Sequence, residues 1–134
     1  MDNGKQGVKG SSRGAVLVAD DEPTLRRLVK ATIMSDDYTV LEAVDGEQAW
    51  KILCEQRPAV ALLDVAMPGL TGLELTRAIR ADPDLKNTTV ILLTAKTQAH
   101  DIEEGIAAGA DLYLTKPFSP MELLVVIEEA FNLP

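Results

Sequence analysis

The sequence predicts a doubly wound α/β domain: a five-stranded parallel sheet in the order 2-1-3-4-5 with helices on both faces. Three observations lead there. Short apolar runs rich in Val, Leu and Ile recur five times, each continuous rather than alternating, as in strands buried on both sides. Helix-length stretches separate and follow them, so strand and helix alternate along the chain. The length, 134 residues, suits one domain with one core. Right-handed crossovers then place helices on both faces, and ligands are expected at the carboxyl ends of the strands.

The runs are AVLVAD (15–20), YTVLEA (38–43), AVALLD (59–64), TVILLT (89–94) and DLYLT (111–115). In the first helical stretch Leu25, Leu28, Val29, Thr32 and Ile33 share one face at helical spacing. In the second Ala49, Ile52, Leu53 and Gln56 do so, with Asp45 placed as N-cap. The third opens on Thr71 with Glu74 three residues on, a capping box. The fourth spans about Thr97 to Ala107. The fifth opens Ser119-Pro120-Met121-Glu122, joining an N-cap, a proline at the first helical position and a reciprocal glutamate. Residues 1–13, rich in Gly, Ser and Lys, are expected to be a flexible tail or a cloning remnant, with the domain at 14–134.

Composition is that of an ordinary soluble protein, 46% hydrophobic and 25% charged. With Cys54 as the single cysteine, neither an internal disulfide nor a cysteine-based zinc site is possible, and a reducing, cytoplasmic setting fits best. No apolar run reaches the ~18 residues that span a bilayer, and no signal-peptide core is present. Net charge is −8, and residues 1–13 are themselves net positive (Lys5, Lys9 and Arg13 against Asp2). So acidic a body repels a phosphate backbone, so direct nucleic-acid binding by this chain is not expected.

The strand ends concentrate the chemistry. Run one ends in Asp20-Asp21, run three in Asp64 and run four in Thr94; Lys116 follows run five. Each alone reads as an N-cap, turn or strand-end residue. Together, one at each of four strand ends, they converge at one edge. Three carboxylates without a partner repel and raise one another's pKa, and a hard divalent cation resolves the conflict. An all-oxygen site suits Mg²⁺. With His100 the only histidine, a histidine-rich metal site is excluded. A carboxylate beside Mg²⁺ can also attack phosphorus and become an aspartyl phosphate. Charge on the phosphoryl oxygens would be neutralised by the cation, the Lys116 ammonium and the Thr94 hydroxyl with a backbone N–H. Asp64, ending the central strand, is best placed as the acceptor.

The motifs VADDE (18–22), LLDVAMPGLTG (62–72), LTA (93–95) and GADLYLTKPF (109–118) make the chain from Ala15 to Leu133 resemble the receiver domain of bacterial two-component response regulators. The resemblance implies a flavodoxin-like (βα)5 fold in which Asp64 takes a phosphoryl group from a histidine kinase or phosphotransfer protein. It implies that Asp20, Asp21, Asp64 and the backbone carbonyl of Ala66 hold Mg²⁺, with Mn²⁺ able to substitute. It further implies that Lys116 contacts the phosphoryl group, that the Lys116–Pro117 bond is often cis, and that Thr94 and Tyr113 form a switch pair. The output face would be helix four, strand five and helix five, binding a downstream protein or a second copy. Such a domain is not an enzyme in the usual sense; it catalyses only its own aspartyl phosphorylation and dephosphorylation. The alternative within the family is a phosphate sink or a phosphorylation-independent binding module.

Several features have plainer readings. Met67-Pro68-Gly69 is also an ordinary turn. Trp50 and Cys54, four apart on one helix, read as packing residues, and His100 as a solvated one. An FMN-binding protein of the same architecture would need a hydroxyl- and glycine-rich loop where this chain has Asp20-Asp21-Glu22-Pro23. A haloacid-dehalogenase-type phosphatase carries a second Asp two residues past its nucleophile, where this chain has Ala66. The chain departs from the winged-helix branch of the family at Ile102, Leu112 and Val126, where that branch tends to carry charged residues; this argues against a charge-paired dimer and for an apolar output face, unless some of the three pack in the core. Ending at Pro134, just past helix five, suits either a single-domain regulator or a receiver separated from its output domain.

Overall fold

The computed structural model describes residues 12–95 and 99–133. Strand β1 (Ala15–Ala19) leads to α1 (Pro23–Met34), β2 (Thr39–Ala43), α2 (Gly46–Gln56) and β3 (Val60–Asp64). Then follow α3 (Gly72–Ala81), β4 (Thr89–Ala95), α4 (Ala99–Ala108), β5 (Leu112–Lys116) and α5 (Pro120–Phe131). All strands are parallel, in the order β2-β1-β3-β4-β5, which is the predicted 2-1-3-4-5 arrangement.

Alternate residues of each strand feed two separate cores. Val16, Val18, Val60, Leu62, Ile91 and Leu93 pack under α1 and α5 with Val29, Ile33, Leu123 and Ile127. Leu17, Ala19, Ala61, Leu63, Val90 and Leu92 pack under α2 and α3 with Ala49, Leu53, Leu75 and Ile79. Both faces of each inner strand are therefore apolar, which is why the runs show no alternation. Every residue of β3 is buried, so whatever ends that strand is held rigidly at the centre of the sheet edge.

The helix starts follow their sequence signals. Asp45 accepts the Gln48 N–H at 2.8 Å. Thr71 with Glu74 and Ser119 with Glu122 form complete capping boxes. Helix four begins at Ala99; the expected start at Thr97 lies outside the described residues, and of His100 only the backbone is described.

Two facial assignments need correction. Val126 is 7% exposed and belongs to the core beneath α5, where it packs with Leu123 and Ile127; Leu112 packs partly against the same core. Val126 therefore offers no apolar surface group, and Leu112 only part of one. Among the described residues, the exposed large apolar side chains on α4 and α5 are Ile106, Met121 and Val125. Likewise Leu28, placed by its spacing on the buried face of α1, is 41% exposed.

Of the tail expected at 1–13, residues 1–11 lie outside the described residues. Ser12 and Arg13 run alongside the α1–β2 connection: the Arg13 backbone N–H donates to the Asp37 carbonyl at 2.8 Å, and its guanidinium lies 4.7 Å over the Tyr38 ring while pairing with Asp36 at 2.6 Å. Among the described residues no helix is long and apolar enough to cross a membrane.

Candidate functional site: an acidic pocket at the carboxyl edge

Parallel pairing builds the pocket. Ala19 lies opposite Leu63 and Asp64 opposite Leu93, while Ala95 lies opposite Lys116. The residues that end β1, β3, β4 and β5 therefore share one edge. One carboxylate oxygen from each of Asp20, Asp21 and Asp64 lies within 4.8 Å of the others. Asp20 is fully buried, Asp64 is 6% exposed and Asp21 is open to solvent.

Lys116 bridges the cluster. Its ammonium donates to Asp64 Oδ2 at 3.1 Å, lies 3.0 Å from Asp20 Oδ2 and reaches Glu22 at 3.7 Å. The Asp20 contact is a close ion pair, so one ammonium serves two carboxylates at once. Burial pushes the Asp20 carboxyl above its ordinary pKa, despite the Glu22 N–H at 2.8 Å and Lys116, which favour its charged form. Burial pulls the Lys116 ammonium down, but Asp20 and Asp64 outweigh it and the net shift is upward. Three carboxylates against one ammonium leave the pocket negative. Three carboxylate oxygens within 4.8 Å of one another, two of them on buried side chains that share one ammonium, are what a hard cation satisfies. The donor set therefore fits a hard divalent cation.

The loop after β3 is shaped by its own sequence. The Ala66 N–H donates to Asp64 Oδ1 at 3.1 Å, buried Met67 anchors the loop, and Gly69 turns it at φ 75°, a conformation that suits glycine. The Pro68 carbonyl then accepts the Gly46 N–H at 3.1 Å, tying the loop to the start of α2. Lys116–Pro117 is cis.

Thr94 and Tyr113 take neighbouring places on the α4 side. Thr94 is 2% exposed and its hydroxyl has no hydrogen-bond partner. Tyr113, half-buried, donates its hydroxyl to the Ile102 carbonyl of α4 at 3.2 Å, and burial raises its pKa. Trp50 and Cys54 lie away from the pocket on α2; Trp50 packs partly against the core and Cys54 is exposed.

Two contributors had little or no sequence signal. Arg26 on α1 donates to the Asp20 main-chain carbonyl at 2.6 Å and lies 3.5 Å from Glu42, which also pairs with Lys30 at 3.3 Å. A helix residue reaching back to the preceding loop leaves no periodic trace. Beside Lys116, a groove of about 440 Å³ runs past Glu22, Thr24, Leu25, Leu28, Pro117 and Phe118. It adjoins the acidic pocket through Lys116 rather than coinciding with it. Leu28, which strays from the expected buried face, is part of its wall.

Comparison with known proteins agrees with this geometry. A family model described as the response regulator receiver domain matches residues 16–128. The phosphate regulon transcriptional regulatory protein PhoB of Pseudomonas aeruginosa is 37% identical over 109 residues, 81% of this chain and 48% of that protein. The DNA-binding response regulator MtrA of Mycolicibacterium smegmatis is 37% identical over 112 residues, 84% of this chain and 48% of that protein. The chain thus spans about half the length of the curated relatives it matches. Among solved structures, the chemotaxis response regulator CheY4 of Vibrio cholerae has a TM-score of 0.82 at 35% identity, covering 87% of this chain and 97% of that one. The receiver domain of sensor histidine kinase PA1611 from Pseudomonas aeruginosa, solved with magnesium coordinated in its active-site cleft, has a TM-score of 0.82 at 32% identity, covering 90% of this chain and 98% of that one.

Proposed function

Because this chain belongs to the response regulator receiver family, we propose that it is a phosphoacceptor switch of a two-component system, with Asp64 as the acceptor. One observation carries the assignment: Asp64 ends the fully buried central strand with Lys116 3.1 Å from one oxygen and two further carboxylates alongside. The chemistry is a displacement at phosphorus. An Asp64 oxygen forms the new O–P bond as the donor's P–N bond, on the phosphohistidine of a kinase or phosphotransfer protein, breaks and the imidazole leaves. Asp20, Asp21, Asp64 and the Ala66 carbonyl would hold Mg²⁺, which when bound supplies neutralisation of phosphoryl charge.

The chain's own groups do the rest. Lys116 compensates a phosphoryl oxygen and holds Asp64 in place. The Thr94 hydroxyl, buried without a partner, is free to donate to another phosphoryl oxygen. The groove beside Lys116, with apolar walls from Leu25, Leu28 and Phe118, gives the donor protein a place to rest next to the acceptor. Thr94 and Tyr113 pass the change to α4, β5 and α5, whose face would bind a downstream protein or a second copy. Residues 14–134 form the receiver, and the working compartment is the cytoplasm. This is self-directed chemistry rather than turnover of a substrate.

Acetyl phosphate with Mg²⁺ is expected to raise the intact mass by about 80 Da, one phosphoryl group. Asp64→Asn is expected to abolish the gain. Labelling of that variant to the wild-type extent would assign the acceptor elsewhere, and no labelling of the wild type even by a cognate donor would favour the phosphorylation-independent module.

A further inference from the structure

Gly105 occupies the middle of α4, where glycine is among the poorest helix formers, and it is buried. The reason lies across the interface with the sheet. A Cβ at this position would stand 2.6 Å from Leu92 Cδ1, 3.0 Å from Tyr113 Cε1 and 3.1 Å from Tyr113 Oη. The Leu92 contact is shorter than real Cβ contacts, so its Cδ1 would have to turn aside, and the Tyr113 contacts are tight enough that the ring would have to give by a few tenths of an ångström. Leu92 is fully buried in a close-packed core, whereas Tyr113 is half-exposed and is tied to α4 by the single bond from its hydroxyl to the Ile102 carbonyl. Leu92 has little room to turn aside, so part of the displacement passes to the ring beside it. Leu92 and Tyr113 are register partners on β4 and β5, and Thr94, two residues on from Leu92, turns to the same face with its unpartnered hydroxyl.

We propose that Gly105 is a positioning residue of the Thr94–Tyr113 pair: its missing side chain is the notch in α4 that receives the Tyr113 ring. A methyl group there pushes the ring off its seat and weakens the coupling of α4 to the acidic pocket. The seat itself follows from the contacts; its effect on signalling rests on the reading of Thr94 and Tyr113 given above.

NMR on the whole chain tests both parts, with beryllofluoride and Mg²⁺ as the phosphoryl mimic. In the wild type, Tyr113 ring protons are expected to show cross-peaks to the Gly105 α-protons. In Gly105→Ala the ring resonances shift and the cross-peaks to α4 weaken. The beryllofluoride-induced shifts of amides 102–108 shrink with them, while the shift at Ala66, beside the acceptor, persists. In a Tyr113→Ala/Leu92→Val background, where neither short contact remains, the Gly105→Ala change adds nothing to the α4 response. Leu92→Val removes the atom behind the other short contact, so Gly105→Ala/Leu92→Val gives a folded protein if crowding of Leu92 prevents the single variant from folding; the ring is expected to be displaced there too. A Tyr113 ring still seated in either alanine variant overturns the proposal, as does an equal effect of Gly105→Ala with and without the Tyr113 ring in the Leu92→Val background. A wild-type Tyr113 that ignores beryllofluoride defeats the switch reading, and with it the signalling part, while the cross-peaks still decide the seat.

Discussion

Asp20 is the least comfortable side chain in the pocket. It is fully buried, and burial raises its pKa above the ordinary carboxyl value even though Lys116 lies 3.0 Å from one oxygen and the Glu22 N–H donates to the other. The sign follows from linkage: the folded chain holds the Asp20 proton more tightly than the unfolded chain, so this contribution to stability is complete below the unfolded pKa and is lost as pH rises through the folded one. Once ionised, Asp20 works against folding unless a cation joins it. Asp20→Asn, which keeps an acceptor for the Glu22 N–H, is therefore expected to raise the metal-free thermal midpoint, by a stability gain of the order of 1 kcal/mol. The same change is expected to weaken Mg²⁺ binding. Calorimetric melts with and without Mg²⁺ check both signs, and a lower midpoint without metal would contradict the account. Asp20, Asp64, Thr94 and Lys116 were legible because each ends or follows a strand, so chain order alone brings them together. Arg26, which clamps the Asp20 carbonyl, was not, since it acts through a main-chain atom six residues back.

At the scale of the element, α5 shows what local pattern can and cannot say. Its start is written in the chain: Ser119 accepts the Glu122 N–H at 3.1 Å and Glu122 returns a bond to the Ser119 N–H at 2.8 Å. Ser119→Ala is expected to cost about 1 kcal/mol. Urea unfolding should record it as a lower midpoint at unchanged slope, and no loss would mean that the cap bonds are replaced by water at no net cost. The inward face of α5 was much harder to read. Leu123, Leu124, Val125, Val126 and Ile127 are consecutive and apolar, so no single stripe stands out from periodicity. Only packing against α1 and the sheet decides that Val126 is inside and Val125, 56% exposed, is outside. The capping residues act on their own turn, while the choice of face depends on distant partners.

For the whole molecule, the phosphoryl transfer to Asp64 proposed above would have to bias an element that other proteins touch. The exposed apolar groups Ile106 on α4 and Met121 and Val125 on α5 are the natural place to look. Binding of a downstream protein or second copy to this face is expected to tighten on phosphorylation by roughly 1–3 kcal/mol of coupling. Ile106→Arg or Val125→Arg is expected to weaken that binding in a folded protein, as sedimentation with and without beryllofluoride would show for self-association. Val126→Arg, by contrast, is expected to unfold the domain by burying an unpaired charge. A beryllofluoride-dependent partner indifferent to both surface arginines would place the output face elsewhere.

The ion cluster of Arg26, Lys30 and Glu42 bears on how copies of this chain can meet. Strand β2 is one rim of the sheet, and its outer row of N–H and C=O groups has no strand beside it among the described residues. Such a rim is a template for another chain to add a strand, the first step toward runaway stacking. Glu42 stands on that rim as a charge, pinned by two cations from α1. A strand laid against it from a second copy would bring another Glu42 into the same row and would have to strip water from both. A charged group of this kind disfavours edge-to-edge growth, which leaves helical surfaces as the easier place for copies to meet reversibly.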